Sequence, residues 1–144
     1  MTETIQPPLI LTSALLTQLH AYINKGYPYE TCGLFIGKRS DKGWEVSEVT
    51  QAKNLNTDRA EDRFQLDPID FMTADNRARE SGLEIIGIWH SHPDHPAAPS
   101  PTDLAAAWEG YSYLIAKVTK EGVEAMTSWR LVGANFEEEE VIIL

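Results

Sequence analysis

Leu83-Glu84-Ile85-Ile86-Gly87-Ile88-Trp89, running straight into His90-Ser91-His92-Pro93, is the stretch on which the fold turns. The run from Leu83 to Trp89 is nearly all apolar, which predicts a central strand covered on both faces; a half-exposed strand would alternate with polar residues. His90 and His92 close it two positions apart, and the period of two sends both imidazoles to one face, about 6.5 Å from each other. Such a pair can clamp one zinc ion. Zinc takes four ligands and a catalytic site leaves one place to water, so a third protein ligand has to come from elsewhere. Asp103 is the nearest good candidate. Taken alone, Ser100-Pro101-Thr102-Asp103 reads equally well as a plain helix start, with Ser100 the N-cap, Pro101 the first helical residue and Asp103 completing a capping box. The histidine pair upstream makes the ligand reading the better one.

Outward from this strand, Leu15, Leu16, Leu19, Tyr22 and Ile23 recur at helical spacing after Thr12 or Ser13, predicting an amphipathic helix that stops near Gly26 and Pro28. Thr31 to Lys38 and Trp44 to Thr50 read as two strands joined by a hairpin through Asp41 to Gly43, and Arg63 to Leu66 as a short candidate strand. Asp67-Pro68 opens a helix that closes at Gly82, and a further helix is expected from Pro101 to Glu109. Tyr113 to Thr119, Ala125 to Leu131 and Val141 to Leu144 complete the strands. This order is not the regular βαβ alternation of a dinucleotide-binding fold. It predicts an α+β fold with a central mixed, mostly antiparallel β-sheet flanked by helices.

The chain is 144 residues long, with no internal repeat and no linker-like stretch, so residues 1–144 are read as one domain. A net charge of −10 disfavours nucleic acid and anionic membrane surfaces and favours a basic protein partner. The run Glu137 to Glu140 reads as a solvated turn or edge. No apolar run approaches the length of a membrane span, and the N-terminus MTETIQPPLI lacks the features of a secretory signal. One cysteine, Cys32, allows no internal disulfide and suits the cytoplasm; it reads as a small buried hydrophobe. His20 and His95 read as surface residues, and Trp89 and Trp108 as packing.

Taken as a string, His90-x-His92, seven residues, Ser100, two residues, Asp103, with Glu30 upstream beside the start of a strand, resembles the JAMM (MPN+) metalloprotease family, whose pattern is a glutamate followed at a distance by H(S/T)H and SxxD. No element of that pattern is missing. Tyr29-Glu30-Thr31-Cys32-Gly33-Leu34, Asn54, Phe64 and Asp67-Pro68 also look like its bacterial and archaeal members. The resemblance implies the cytidine-deaminase-like MPN fold, with one Zn2+ per chain held by His90, His92 and Asp103. It likewise implies Glu30 as general base and Ser100 as oxyanion donor. By itself, a glutamate at a loop-to-strand junction would be an ordinary solvated residue. The stretch from Asp103 to Leu144 is short and mostly strand-like, without the ubiquitin-gripping insertions of ubiquitin-chain-cleaving members. It is similar to stand-alone prokaryotic members, which implies a small ubiquitin-like sulfur-carrier protein as substrate, cut after its C-terminal Gly-Gly. The alternatives are an inactive scaffold of the same fold, which would be expected to have lost ligands, a general small-peptide metallopeptidase, and another zinc hydrolase. A nucleobase deaminase is excluded for want of a PCxxC element, and an HExxH protease because the string is absent.

Overall fold

Thr12 stays extended while its hydroxyl accepts from the Leu15 amide, so the first helix, α1 (Ser13–Gly26), starts at the cap the sequence offers. It is preceded by a short strand, β1 (Leu9–Leu11), that the sequence reading misses. The computed structural model describes residues 6–56 and 63–144; the first five residues of the N-terminal segment read above for a signal lie outside them. β2 (Cys32–Ser40) and β3 (Gly43–Ala52) form the expected hairpin. Residues 63–66 make no strand beyond a single bridge, Leu66 opposite Asn54. Asp67 caps α2 (Pro68–Glu80) by accepting from the Ile69 amide, and Gly82, at φ 71°, supplies the left-handed turn that ends it.

The central strand, β4 (Glu84–Pro93), runs through the histidines to Pro93. α3 (Pro101–Ala106) ends before the predicted Glu109, and the chain then returns as β5 (Ser112–Thr119) and β6 (Gly122–Val132). β7 (Asn135–Glu139) and β8 (Val141–Ile143) follow. The acidic run thus lies largely in an edge strand, but Glu139 is buried, a correction to its reading as solvated.

Among the described residues the sheet has the order β7-β6-β5-β4-β2-β3-β1-β8. β4–β5, β1–β3 and β1–β8 are parallel and the other four pairs antiparallel, as a mixed, mostly antiparallel sheet requires. β7 and β8 are separated only by Glu140 yet stand at opposite ends of this order, so the sheet curls back on itself. α1 packs on one face, burying Leu19 and Ile23 against Phe35, Ile86, Trp89 and Leu114. α2 covers part of the other with Ala74 and Ala78 against Leu34, Ile36 and Ile85. Each large aliphatic side chain so buried contributes about 1.5–3 kcal/mol of transfer free energy.

Two details aim the site. Phe35 pairs with Gly87 and Ile36 with Ile85, leaving Ile86 as an extra residue in β4. This bulge reverses the alternation, so Ile86 and Trp89 face α1 while Ile85 and Ile88 face α2. His90 and His92, an even number of residues beyond Ile88, share the α2 face. Gly33 lets the Trp89 ring lie against the β2 backbone, where any Cβ would collide with the ring and with the Thr50 carbonyl; the indole N–H donates to that carbonyl at 3.0 Å.

Candidate active site

His90 and His92 turn their Nε2 atoms together, 3.0 Å apart. Their ring centroids are 4.8 Å apart, closer than the strand repeat alone predicts, because the two side chains lean toward one point. Asp103 meets them there, Oδ1 at 3.2 Å from His90 Nε2 and Oδ2 at 3.1 Å from His92 Nε2. The carboxylate is oriented by its own helix: Ser100 Oγ accepts from the Asp103 amide at 3.0 Å, and Asp103 Oδ2 accepts from the Ser100 amide at 2.9 Å. The two readings of Ser100-x-x-Asp103 are therefore compatible, since the capping box itself points Asp103 at the histidines. Its bond to the Asp103 amide uses a lone pair of the Ser100 hydroxyl and leaves the hydroxyl proton available.

Glu30, buried at the loop before β2, reaches the same place: its carboxylate and one nitrogen of each histidine lie within 4.8 Å of one another, a group that could hold a metal ion. The cluster so defined omits Asp103, yet the shorter distances run from the histidines to Asp103, so His90, His92 and Asp103 form the tight set and Glu30 stands beside it. His92 Nδ1 lies 2.9 Å from the Pro96 carbonyl, to which it can only donate; the Nε2 lone pair is then free for a cation. Phe64 stacks on His90 at 4.4 Å.

Electrostatics favour positive charge beside Asp103. Burial opposes ionisation of Asp103, but hydrogen bonds from both histidines outweigh it and hold the carboxyl far below the usual range. Burial pushes His90 down, against the pull of Asp103. Burial also works against a charged His92, yet Asp103, the Pro96 carbonyl and Glu30 together raise it. The cluster thus favours positive charge, and its side chains could hold a metal ion.

The cluster opens into a cavity of about 950 Å3 whose apolar wall includes Phe64, Phe71, Ile88, Trp108, Tyr111 and Phe136. Trp89 is core, as expected, whereas Trp108 is 71% exposed and lines this cavity. α3 ends where Ala107 turns extended; beyond it the Trp108 amide donates to Tyr113 Oη at 2.8 Å, and Gly110 at φ 96° turns the chain. His95 is exposed at the cavity, and His20 is only half-buried, with its Nε2 buried and lacking a hydrogen bond among the described residues. The sequence reading missed Pro96 and Asn54 as parts of the site's frame. The proline-rich loop was the available signal for Pro96; Asn54 offered only its place in the family resemblance.

Residues 12–132 match the family described as prokaryotic homologs of the JAB domain. The chain belongs to that family. A Haloferax volcanii protein named desampylase is 32% identical over 119 residues, spanning 81% of this chain and 79% of its own. A Thermus thermophilus protein named as a probable TtuB-protein conjugate cleaving protease is 31% identical over 74% of this chain and 68% of its own. A solved structure from Desulfitobacterium hafniense superposes with a TM-score of 0.84 at 30% identity, covering 94% of this chain and 92% of that one. The chain is thus a JAB-family enzyme of the JAMM peptidase type, with the α+β fold that the motif implies. No described helix is long and apolar enough to cross a membrane.

Proposed function

We propose that this chain is a zinc-dependent peptidase and isopeptidase that hydrolyses the peptide or isopeptide bond after the C-terminal Gly-Gly of a small ubiquitin-like sulfur-carrier protein. The observation that carries the chemistry is the convergence of His90 Nε2, His92 Nε2 and the Asp103 carboxylate at 3.0–3.2 Å from one another. Tetrahedral zinc with ligands at 2.0–2.1 Å separates them by about 3.3 Å, so the three atoms already stand near the corners such an ion requires. One zinc per chain fits, and when bound it supplies Lewis acidity that makes water acidic near neutral pH and polarises a carbonyl. Glu30 accepts the proton lost by the attacking water and delivers it to the departing amine nitrogen as the C–N bond breaks. Ser100, with its hydroxyl proton available, donates to the oxygen that becomes negative during attack.

The substrate reading draws on relatives named for cleaving protein conjugates. An extended Gly-Gly tail suits the cavity beside the cluster because glycine allows close backbone approach. With a net charge of −10, the enzyme favours a carrier with basic patches and binding that weakens with salt. Its lone thiol, unpaired and buried, accords with work in the cytoplasm.

The test is incubation of the zinc-loaded protein with C-terminally extended carriers from the same genome, followed by mass spectrometry of intact products and metal analysis. Cleavage immediately after Gly-Gly, one zinc per chain, loss of zinc in His92→Ala, and a 10²–10⁴-fold lower turnover in Glu30→Gln with zinc retained are expected, the last being the usual scale of general-base loss. Intact carriers beside efficient cutting of unrelated peptides would replace this reading with a general peptidase.

A further inference from the structure

The Glu30–Thr31 peptide group is gripped at both ends by side chains. Its carbonyl accepts from Asn54 Nδ2 at 3.1 Å, and its N–H donates to Ser91 Oγ at 2.8 Å. β2 starts only at Cys32, opposite His90, so the regular ladder stops short of this peptide. Ser91, fully buried between the two histidines, extends it: its amide donates to the Thr31 carbonyl at 2.9 Å and its hydroxyl lies 3.1 Å from Thr31 Oγ1. Asn54 uses its whole amide. Its Nδ2 also donates to the Arg63 carbonyl at 3.0 Å, while its Oδ1 accepts from the Asn56 and Gln65 amides at 3.0 and 2.9 Å.

We propose that Ser91 and Asn54 are positioning residues that fix the plane of the Glu30–Thr31 peptide and so aim the Glu30 carboxylate at the space beside His90 and His92. The inference rests on the reading of Glu30 as general base. A base has to stand within about 2.6–3.2 Å of the proton it takes, and misplacement by about 1 Å costs on the order of 100-fold in rate. A peptide held at one end can pivot about that bond and swing the Cα–Cβ direction of Glu30 with it. A peptide held at both ends cannot. Ser91 ties it to the strand of the histidines, and Asn54 ties it to the cavity wall that carries Phe64.

The test uses zinc-loaded protein with an extended carrier, together with amide exchange on the metal-free protein. Ser91→Ala and Asn54→Ala should each lower kcat by about 10–100-fold with KM and zinc content near wild type, and Ser91→Thr, which keeps the hydroxyl, should restore it. In a Glu30→Gln background neither change should reduce the residual rate further, because no base is left to aim. The Thr31 amide should exchange at least about tenfold faster in Ser91→Ala than in wild type. Full turnover by Ser91→Ala and Asn54→Ala beside an inactive Glu30→Gln, losses that persist in the Glu30→Gln background, or unchanged Thr31 protection would overturn the clamp alone. Full turnover by Glu30→Gln itself would remove the base assignment and the clamp's role together. Asn54 is only partly buried, so its variant serves should Ser91→Ala fail to fold.

Discussion

Cys32 lies two residues beyond Glu30, yet its chemistry is that of a core residue. The side chain is fully buried, with Sγ 3.7 Å from the Ala52 carbonyl and 3.8 Å from that of Lys53. Burial, reinforced by the negative charge of Glu30, pushes the thiol up to about 12. At pH 8 roughly one thiol in ten thousand is then a thiolate, the only form that attacks an alkylating agent. Native protein treated with iodoacetamide at pH 8 is expected to gain no carbamidomethyl mass over an hour, while protein in guanidinium is labelled fully. Rapid labelling of the native form would show that the β2–β3 pairing opens at this end and that Cys32 is available for regulation.

At the scale of elements, caps and not propensity set where the helices begin, and one of them bears on the cavity. Asp67 Oδ1 accepts from the Ile69 amide at 2.8 Å, while the following Pro68 and Phe71 line the cavity. Asp67→Ala deletes the cap and should cost about 0.5–2 kcal/mol of folding stability. Urea denaturation checks this as a lower midpoint at unchanged slope. A midpoint equal to that of the wild type would mean that packing of Ala74 and Ala78 alone fixes the start of α2. Ser100 and Asp103 use the same cap chemistry on α3, and there the cap also orients a candidate ligand.

For the molecule as a whole, a buried ion pair secures the curl of the sheet. Arg130 on β6 and Glu139 on β7 approach to 2.7 Å, with both side chains almost entirely buried. The pair is close without the alignment of a hydrogen bond at Oε2; Glu139 Oε1 accepts from Ser128 Oγ at 2.7 Å. The guanidinium lies 3.3 Å from the centre of the Trp44 ring on β3, four places away in the strand order, so the contact spans the inside of the curl. Burial raises Glu139 and lowers Arg130, each partly offset by the other's charge. Glu139→Ala strands the arginine and should cost about 3–5 kcal/mol, a large part of a typical domain's stability. Arg130→Met combined with Glu139→Leu should recover most of that loss. Chemical denaturation distinguishes the outcomes, and a loss below about 1 kcal/mol for Glu139→Ala would show that water enters the pair.

The sequence by itself determined what local chemistry writes: the caps at Asp67 and Ser100, a first cap at Thr12 or Ser13, the central strand, and the same-face placement of His90 and His92. These follow from backbone rules acting over a few residues, and the spacing to Asp103 works through one short helix. The tertiary structure alone decided the rest. Glu30 meets residues 60 and more positions away only because β2 pairs antiparallel with β4 in one register, and the same register sets Ser91 against Thr31. The histidines face the cavity and not α1 because of one extra residue at Ile86, invisible in a run where residues on both faces are apolar. Glu139 looked like part of a solvated acidic run, since its partner Arg130 is reached only when β7 pairs with β6. A strand pattern gives the alternation of side chains; which neighbour lies across the ladder, and on which face, is set by packing between distant segments.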